Sequence, residues 1–472
     1  MEKYDIYAGG VFKSNNTPLE VTNPYTGEVF AQTYIAGTPE LEESIASALA
    51  VEREMKDLSV YKRYEILMQI SETIRSKREY LADILAREAA KPLIYALGEI
   101  DRATQTFLVA AEESKRLPSE YLSIDWAPSG AGREGIIRYF PLGLTAGISP
   151  FNFPLNLAVH KIAPAIAAGN PIILKPARST PLSTLELAKI IHNTDLPKGA
   201  FSVLPMDRQA GNQLVTDQRF KKLTFTGSPE VGWRMKEQAG KKKVTLELGG
   251  NAGAIVTCSA DMDHAVNRCL LAGFAYQGQV CIHLQRIFVH RDIFNEFTGT
   301  LVEKAKNLRQ GAPDDPETEI TAMIDEENAL RVEEWVNEAV EGGAEILCGG
   351  NRKFTYYEPT ILTKTKKDMK VNAEEIFGPV VTVESYESFQ DAVHSVDDSR
   401  FGLQAGVFTD SIEEMNYAFE NISVGGLIIN DAPIFRIDHM PYGGVKDSGL
   451  GREGLKYAIK EMMEPKLLIK NK

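Results

Sequence analysis

Short apolar runs alternate with helical segments from Tyr139 onward, and this alternation constrains the fold more than any other feature of the sequence. Leu144–Ile148 is an apolar run, and the helical stretch after it ends near Gly169-Asn170, a typical helix C-terminus. The pattern continues with a helix at Leu182–Ile191 and with strands at Pro171–Leu174, Phe201–Leu204 and Lys222–Thr226. Strands that alternate with helices predict a parallel sheet covered on both faces, and therefore an α/β fold.

A second α/β unit is predicted after residue 248. The strand Val244–Leu248 is followed by Gly249-Gly250, and further apolar runs occur at Ala254–Val256, Phe288–Val289, Val380–Val383 and Leu427–Ile429. A chain of 472 residues is too long for one ordinary core, which agrees with two or three structural units. The first part is predicted to be helical after a short β segment, with Thr38-Pro39-Glu40 as a helix start.

Composition and charge exclude several classes of function. The net charge of −13 argues against a nucleic-acid surface or an anionic membrane as partner. The sequence has no amino-terminal signal pattern and no apolar run long enough to span a bilayer. Its four cysteines form no C-x-x-C pair and its seven histidines form no H-E-x-x-H, so we expect no metal site and no disulfide framework. A reducing compartment is therefore expected.

Three polar residues stand where catalysis can use them. Cys281 follows Gly278 and Gln279, which allow tight backbone placement beside the thiol, although an arbitrary cysteine is usually inert packing. Glu247 lies in an apolar strand, where burial raises the pKa of a carboxyl toward that of a general base. Asn152 is held between aromatic residues and prolines and can donate to an oxyanion, although the segment alone is more typical of a structural turn.

The segment Thr224–Gly232 indicates a strand–turn–helix junction, with Ser228 at the N-cap and Pro229 at the first helical position. Backbone N–H groups and the helix dipole at such a junction can hold a phosphate. A well-capped helix without a ligand explains the same residues. The common G-x-G-x-x-G fingerprint is not present here, so a dinucleotide would bind in a different mode.

The order of these motifs resembles the aldehyde dehydrogenase superfamily over essentially the whole chain. The shared motifs are Pro-Phe-Asn-Phe-Pro around Asn152, Leu-Lys-Pro-Ala around Lys175, Phe-Thr-Gly-Ser ending at Ser228, Glu-Leu-Gly-Gly from Glu247, Gly-Gln-Val-Cys ending at Cys281, Glu-Glu-Ile-Phe-Gly-Pro from Glu374 and Pro-Tyr-Gly-Gly-Val-Lys-Asp-Ser-Gly from Pro441. The resemblance implies two parallel-sheet, Rossmann-like domains and a small β oligomerisation arm. It implies an NAD(P)-binding domain over residues 1–120 and 142–248, a catalytic domain over 249–430 and an arm over 121–141 and 455–472.

The resemblance also implies a role for each matching residue. Cys281 is expected to be the nucleophile, Asn152 an oxyanion donor together with the Cys281 backbone N–H, and Glu247 the base that activates water for thioester hydrolysis. The residues expected to line the cofactor cleft are Ile148, Ser149, Pro150, Phe151, Lys175, Arg178, Gly227, Ser228, Val231, Leu248, Glu375 and Phe377.

One departure from the family pattern bears on the choice of cofactor. NAD-preferring members commonly carry an acid three residues after the lysine of the Lys-Pro motif, where this chain has Arg178. A guanidinium can pair with a 2′-phosphate that a carboxylate would repel, so the sequence favours NADP over NAD. The other interpretation is that Arg178 points to solvent and Lys175 alone contacts the ribose.

The expected aldehyde channel is polar. His160 stands where members that act on simple aliphatic aldehydes tend to have a large aromatic residue, and Arg102, Arg436 and His439 lie in segments expected to flank the channel. With Phe153 and Tyr442 as further wall residues, such a channel suits a short polar or anionic aldehyde, such as lactaldehyde, a semialdehyde, or a phosphorylated or sulfonated aldehyde. Ordinary ion pairs explain Arg102 and Arg436 equally well.

Three other functions remain open from the sequence. A CoA-acylating enzyme would transfer the acyl group to a thiol, but the presence of Glu247 argues against it. A catalytically silent binding protein would not need Cys281, Glu247 and Asn152 together, and a thiol esterase would not need a cofactor site. The expected setting is the cytoplasm, with no nucleic-acid or membrane partner. The Gly-rich stretch Ser123–Gly135 and the apolar tail patch Leu467–Ile469 indicate a homodimer or homotetramer.

Overall fold

The computed structural model describes residues 1–471 and confirms the predicted α/β fold with parallel sheets. Its helices are Thr38–Ala50, Glu52–Asp57, Val60–Ser76, Arg78–Ala89, Leu93–Ser114, Asn156–Ala168, Leu182–His192, Arg208–Thr216, Pro229–Gln238, Met262–Phe274, Phe294–Lys306, Glu326–Glu341, Lys370–Ala373, Phe389–Asp397, Ile412–Asn421 and Leu455–Glu461. Within residues 1–471, none of them is long and apolar enough to cross a membrane.

The first large sheet has eight strands, of which the five central ones are parallel. In sheet order the strands are Gly449–Leu450, Lys243–Glu247, Lys222–Thr226, Thr145–Ile148, Ile172–Lys175, Phe201–Val203, Ile6–Ala8 and Val11–Lys13. The two amino-terminal strands and Gly449–Leu450 pair in antiparallel fashion at the edges. The central strands are buried along their length because helices cover both faces.

The second large sheet has seven strands, all parallel except for one antiparallel edge strand. In sheet order they are Glu345–Cys348, Thr360–Thr363, Val380–Tyr386, Leu284–His290, Ala252–Val256, Gln404–Phe408 and Gly426–Ile429. The segment Leu248–Asn251 connects the last parallel strand of the first sheet to Ala252–Val256 of the second. The two sheets therefore meet just after Glu247.

A three-stranded antiparallel sheet, here called the arm sheet, joins Ser119–Ser123, Arg133–Pro141 and Met463–Asn471. The carboxyl-terminal strand is one edge of the arm sheet and pairs with Arg133–Pro141 over nine residues. Another three-stranded sheet joins Glu2–Lys3, Val29–Tyr34 and Pro18–Thr22. Two short antiparallel pairs complete the strands: Arg352–Lys353 with Tyr356–Tyr357, and Phe401–Gly402 with Val445–Lys446.

The first helix begins differently from the sequence prediction. Its N-cap is Gly37 rather than Thr38, and the Glu40 carboxylate accepts a hydrogen bond of 2.9 Å from the Gly37 N–H. Pro39 occupies the first turn, as the sequence indicates. This carboxylate, three residues after the cap, satisfies the N–H of the cap residue itself, and the helix starts one residue earlier than predicted.

Candidate active site

A cleft of about 720 Å³ lies where the two large sheets meet. The parallel strands of the first sheet that approach it end at Ile148, Thr226 and Glu247. Ligands of open α/β sheets bind beyond such carboxyl ends. Of the predicted site residues, the cleft is lined by Pro150, Phe151, Asn152, Gly227, Ser228, Leu248, Cys281, Glu375 and Phe377.

Cys281 lies just before the strand Leu284–His290, at the amino-terminal edge of the second sheet. Its Sγ is 3.1 Å from the Tyr442 hydroxyl, and Phe153 belongs to the same apolar cluster around the thiol. Burial raises the pKa of Cys281 to about 11, against the hydrogen bond of Tyr442 and the charge of Arg436. The thiol is therefore protonated at neutral pH and needs a base to become a nucleophile.

Glu247 ends the strand Lys243–Glu247 and is fully buried. Neither carboxylate oxygen has a hydrogen-bond partner among the described residues. Burial raises the pKa of Glu247 well above its usual value, and the charge of Glu453 adds to this, whereas Arg436 and Lys161 oppose it. A carboxyl with a raised pKa is a stronger base than an ordinary carboxylate, which suits it to accept a proton.

Asn152 and the Cys281 loop are joined directly. The Asn152 Nδ2 donates a hydrogen bond of 2.9 Å to the Gln279 carbonyl, two residues before the nucleophile. The loop reaches this position through three successive left-handed residues, Tyr276, Gln277 and Gly278, with φ angles of 48°, 55° and 67°. A Cβ at Gly278 would come within 2.2 Å of the Gly378 carbonyl oxygen, so the close approach requires glycine there.

The cleft has a polar and an aromatic side where a dinucleotide could lie. The Glu375 carboxylate accepts a hydrogen bond of 2.9 Å from the Gly250 N–H, and burial raises its pKa to about 7. Phe151 and Phe377 meet edge to face at 5.8 Å between ring centroids. Ser228 is the N-cap of Pro229–Gln238 and is solvent-exposed, with no hydrogen bond from its side chain to the helix.

Five predicted cofactor residues lie outside the lining of this cleft. Ile148 and Ser149 are buried at the end of the strand Thr145–Ile148, and the Ser149 Oγ has no partner among the described residues. Val231 is half-buried on the helix Pro229–Gln238. Lys175 is half-buried at the end of its strand and Arg178 is exposed; burial and then the charge of Arg178 lower the pKa of Lys175. Two cations therefore lie together at this end of the sheet.

The predicted substrate residues belong to a buried network of charges. Arg436 donates to Glu453 at 2.9 Å and lies 3.6 Å above the Tyr442 ring, so it reaches the neighbour of Cys281. Arg102 pairs with Asp438 at 2.7 Å. Burial alone would raise the pKa of Glu453, but Lys161, His160 and Arg436 lower it to about 2. Both arginines thus form ion pairs, the alternative that the sequence left open.

His160 does not line a channel as we expected. It is fully buried, and its Nε2 lies 2.8 Å from Asp438 Oδ1 and 3.3 Å from the Arg436 guanidinium. The reason is that every residue of the helix Asn156–Ala168 is buried, and Leu157 rather than His160 is the residue of this helix that lines the cleft. A second cavity of about 490 Å³ lies beyond this network, lined by Arg75, Asp101, Arg102, Thr104, Gln105, Val109, Arg436, Ile437, Asp438 and His439.

Several site residues were not found from the sequence. Lys161 donates to Thr226 at 2.6 Å and to Glu453 at 3.4 Å, directly behind Glu247. Its signal was a lysine within an apolar helix, where a buried charge needs a partner. Arg331 and Trp335, on the helix Glu326–Glu341, line the cleft opposite the first sheet, and no motif marks them.

One group of potential metal ligands lies outside the cleft. Cys258 Sγ is 2.8 Å from Nδ1 of His290, and Asp292 approaches the same nitrogen at 3.7 Å. These residues follow the carboxyl ends of Ala252–Val256 and Leu284–His290, the edge of the second sheet opposite Cys281. The group comes from separate strand ends, so no spacing motif could indicate it.

Comparison with known proteins agrees along the whole chain. The family model described as the aldehyde dehydrogenase family matches residues 11–468. A 3-sulfolactaldehyde dehydrogenase of Priestia aryabhattai is 43% identical over 472 residues, which cover 100% of this chain and 98% of that protein. The solved structure of aldehyde dehydrogenase 21 from Physcomitrella patens, in complex with the reaction product succinate, has a TM-score of 0.98 and 43% identity and covers 100% and 98% of the two chains.

A third similar protein was solved with a nucleotide. Glyceraldehyde-3-phosphate dehydrogenase GapN from Methanocaldococcus jannaschii, complexed with NADP, superposes with a TM-score of 0.93 and 38% identity, over 98% of this chain and 100% of that one. Similarity of this extent covers both large sheets and the cleft between them.

Proposed function

This chain belongs to the aldehyde dehydrogenase family, and from that premise we propose that Cys281 oxidises a short anionic aldehyde with NADP as the preferred cofactor. The observation that carries the proposal is that Cys281 and Asn152 line one cleft while Glu247, a buried carboxyl without a hydrogen-bond partner among the described residues, lies near enough for its charge to add to the rise that burial causes in the pKa of Cys281. A nucleophile, an amide donor and a base are the three groups that oxidation through a thioester, followed by hydrolysis, requires.

The first step is attack of the Cys281 sulfur on the aldehyde carbon. The thiol proton passes to the Glu247 carboxylate, directly or through water, because the raised pKa of Glu247 brings it within reach of that proton. The carbonyl electron pair moves to oxygen, giving a thiohemiacetal anion. Asn152 keeps one amide hydrogen for this oxygen after donating the other to Gln279, and the Cys281 backbone N–H supplies a second donor.

A nicotinamide dinucleotide bound in the cleft supplies the acceptor for the hydride that leaves the thiohemiacetal, so that Cys281 is left as a thioester. Glu247 releases the thiol proton to solvent and then takes a proton from water as that water attacks the thioester carbon. Breaking the carbon–sulfur bond releases the acid, which ionises to the carboxylate, and the leaving thiolate takes back the proton held by Glu247. Overall, aldehyde, oxidised cofactor and water become carboxylate, reduced cofactor and two protons.

The residues of the cleft fit such a cofactor. Its volume of about 720 Å³ lies in the usual range for a ligand site. We propose that Glu375 and Lys175 hold the riboses, that Phe377 packs at the nicotinamide end, and that the N-terminus beside Ser228 faces the pyrophosphate. Lys175 and Arg178 place two cations where a 2′-phosphate would be neutralised, and this supports NADP over NAD.

The charges behind Cys281 support an anionic substrate. Arg436 donates to Glu453 and lies 3.6 Å from the Tyr442 ring centroid, and its charge opposes the rise that burial causes in the pKa of Cys281. A guanidinium charge that acts on the reacting thiol favours a carboxylate, sulfonate or phosphate on the aldehyde.

We propose the same domain division that the sequence predicted, with residues 1–120 and 142–248 binding the cofactor, 249–430 carrying the nucleophile, and 121–141 and 455–472 forming an arm. The arm sheet leaves Leu467, Leu468 and Ile469 about half exposed, which supports a homodimer or homotetramer. The four cysteines are free, which supports a cytoplasmic setting.

Replacing Glu247 with Gln tests the mechanism. The variant should form the thioester more slowly than the wild type, because the thiol has lost its base, and should hydrolyse it more slowly still, giving a burst of up to about one equivalent of reduced cofactor per subunit. Steady-state turnover should then fall roughly 100-fold or more. Rapid-mixing absorbance of the reduced nicotinamide measures both phases, and Cys281→Ala should show neither. Acyl-CoA formation by the wild-type enzyme with added coenzyme A would contradict hydrolysis, and turnover by Cys281→Ala would contradict the nucleophile.

A panel of matched aldehydes tests the substrate class. We expect 4-oxobutanoate to exceed butanal in kcat/KM by at least about tenfold, equivalent to about 1.4 kcal/mol of charge interaction. Lactaldehyde and sulfonated and phosphorylated three-carbon aldehydes extend the panel, each assayed with NAD and with NADP. Arg102→Gln should lower the ratio of kcat/KM for 4-oxobutanoate to kcat/KM for butanal, because it removes one cation from the network. A preference for unsubstituted long-chain aldehydes would contradict the anionic substrate.

A further inference from the structure

Lys91 is a fully buried lysine that does not line the cleft but contacts the segment Asn152–Asn156, here called the oxyanion loop. Its Nζ donates to the Asn152 carbonyl at 2.6 Å and forms a short ion pair with Glu99. The ammonium also lies 3.9 Å from the Phe153 ring centroid and 4.4 Å from that of Tyr276. The ammonium therefore has two hydrogen-bond acceptors, a carboxylate and a carbonyl, and lies against two aromatic rings.

Glu99 holds the other end of the same loop. Its Oε1 accepts hydrogen bonds of 3.0 Å from the backbone N–H groups of Leu155 and Asn156, at the start of the helix Asn156–Ala168. Asn152 thus has its own carbonyl fixed by Lys91 and the first turn after it fixed by Glu99. Because both charged residues belong to the region around the N-terminus of Leu93–Ser114, one element sets the backbone on both sides of Phe153 and Pro154.

The segment that carries Lys91 also supports the loop of the nucleophile. The Tyr276 hydroxyl donates to the Ala89 carbonyl at 3.1 Å, two residues before Lys91. Tyr276 begins the left-handed run that leads to Cys281, a conformation that costs an aromatic residue about 1–3 kcal/mol. The contacts of its ring with Lys91 and of its hydroxyl with Ala89 offset that cost.

We propose that the buried Lys91–Glu99 pair is a positioning device that sets the Asn152 amide against Cys281, so that the oxyanion donor is aligned before the aldehyde binds. The proposal rests on the proposed function of Asn152 and Cys281. Neither Lys91 nor Glu99 touches substrate or cofactor; both act through the backbone around Asn152, whereas the hydrogen bond from Tyr276 to the Ala89 carbonyl involves neither charge.

Stability alone does not account for the pair. Burial penalises the charge of Lys91 and lowers its pKa, with Glu99 opposing the shift. Exchanging a buried ion pair for neutral groups of similar size is often neutral for stability or stabilising. By contrast, displacing a catalytic group by about 1 Å costs roughly 100-fold in rate. The larger effect is therefore expected in catalysis rather than in folding.

The double variant Lys91→Met/Glu99→Gln tests the proposal. It removes both charges together, so no lone ion stays buried, and the glutamine oxygen can still accept from Leu155 and Asn156. We expect kcat to fall about 100-fold, with the Kd for NADP and the thermal unfolding midpoint close to wild type. The second-order rate of Cys281 alkylation by iodoacetamide should also stay unchanged, because the thiol keeps its neighbours Tyr442 and Arg436.

Lys222→Met is the matched control, since Lys222 is also buried but contacts Thr245 and Glu461 away from the cleft. It should keep the wild-type kcat. The decisive comparison is a double-mutant cycle with Asn152→Ala: the effect of Lys91→Met/Glu99→Gln should vanish in that background, because the pair acts through Asn152.

The outcomes separate the two proposals. An effect of Lys91→Met/Glu99→Gln that is as large with Asn152→Ala as without it, or a wild-type kcat in the double variant, overturns the positioning role alone. A wild-type kcat in Asn152→Ala itself overturns the oxyanion role, and with it the proposed function. A loss of NADP binding or of the folded state in Lys91→Met/Glu99→Gln would show that the pair is only structural.

Discussion

At the scale of single residues, the site shifts the pKa values of two neighbouring buried carboxyl groups in opposite directions. Glu453 has cationic partners on two sides, Lys161 at 3.4 Å and Arg436 at 2.9 Å, and its pKa falls to about 2. Glu247 has no hydrogen-bonding partner among the described residues, and the negative charge of Glu453 raises its pKa further. Because the cations are engaged by Glu453, Glu247 is left as the group that can accept a proton during turnover.

The same division predicts how the rate depends on pH. The raised pKa of Glu247 moves the pH range over which its base form increases above that of an ordinary carboxyl. The rate of thioester hydrolysis in the wild-type enzyme should therefore rise with pH over that range, whereas the slow hydrolysis in Glu247→Gln should lack this rise. Steady-state turnover of both proteins, measured across pH, checks the prediction.

Arg178→Asp should change the cofactor preference. The substitution replaces a cation beside Lys175 with a carboxylate that repels a 2′-phosphate and can accept from ribose hydroxyls. One charged hydrogen bond is worth about 1.5–3 kcal/mol, so the ratio of kcat/KM for NADP to that for NAD should fall at least roughly tenfold. Arg291→Asp, the same change at an exposed arginine paired with Glu387, should leave the ratio unaltered. An unchanged ratio in Arg178→Asp would mean that Arg178 points away from the cofactor.

At the scale of secondary structure, the positions of strands and helices were easier to predict than the direction in which individual side chains point. The strand Lys222–Thr226 matches its prediction at both ends. Ile66, Ile70 and Ile74 all lie on the buried face of the helix Val60–Ser76. Burial imposes a pattern on both elements directly. A central parallel strand is an apolar run, and a helix with one solvent-exposed face has apolar residues with a 3.6-residue period. The helix Asn156–Ala168 has no solvent-exposed face, so the spacing of its apolar residues could not show that His160 faces Asp438.

Ion pairs between residues far apart in the chain could not be predicted from the sequence either. Lys91 and Glu99 are eight residues apart on either side of Pro92, which breaks the helical spacing that would otherwise relate them. The carbonyl that Lys91 contacts lies 61 residues further along the chain. Lys161 and Glu453 are separated by 292 residues. The motifs identify groups that meet the substrate, whereas the residues that hold those groups depend on how the elements pack.

At the scale of the whole molecule, the arm sheet is the part that one chain leaves uncovered. Leu467, Leu468 and Ile469 are consecutive in its edge strand and are 47%, 54% and 53% exposed. Successive residues of a strand point to opposite faces, so both faces of the arm sheet present apolar side chains. Trp126, in the connection between the other two strands, is 89% exposed. An exposed edge strand with this composition is a site where another chain can associate.

Introducing charge on this strand should dissociate the oligomer. Leu467 and Ile469 share one face, and each buried aliphatic side chain contributes about 1.5–3 kcal/mol to an interface, so Leu467→Lys/Ile469→Lys should lower the assembled mass measured by light scattering after size-exclusion chromatography. Lys470→Ala, on the same strand, removes no apolar surface and should keep the wild-type mass. Because the strand lies apart from the residues that line the cleft, the dissociated variant should still reduce the cofactor with aldehyde. A wild-type enzyme that is monomeric, or a doubly charged variant of unchanged mass, would contradict an arm-mediated assembly.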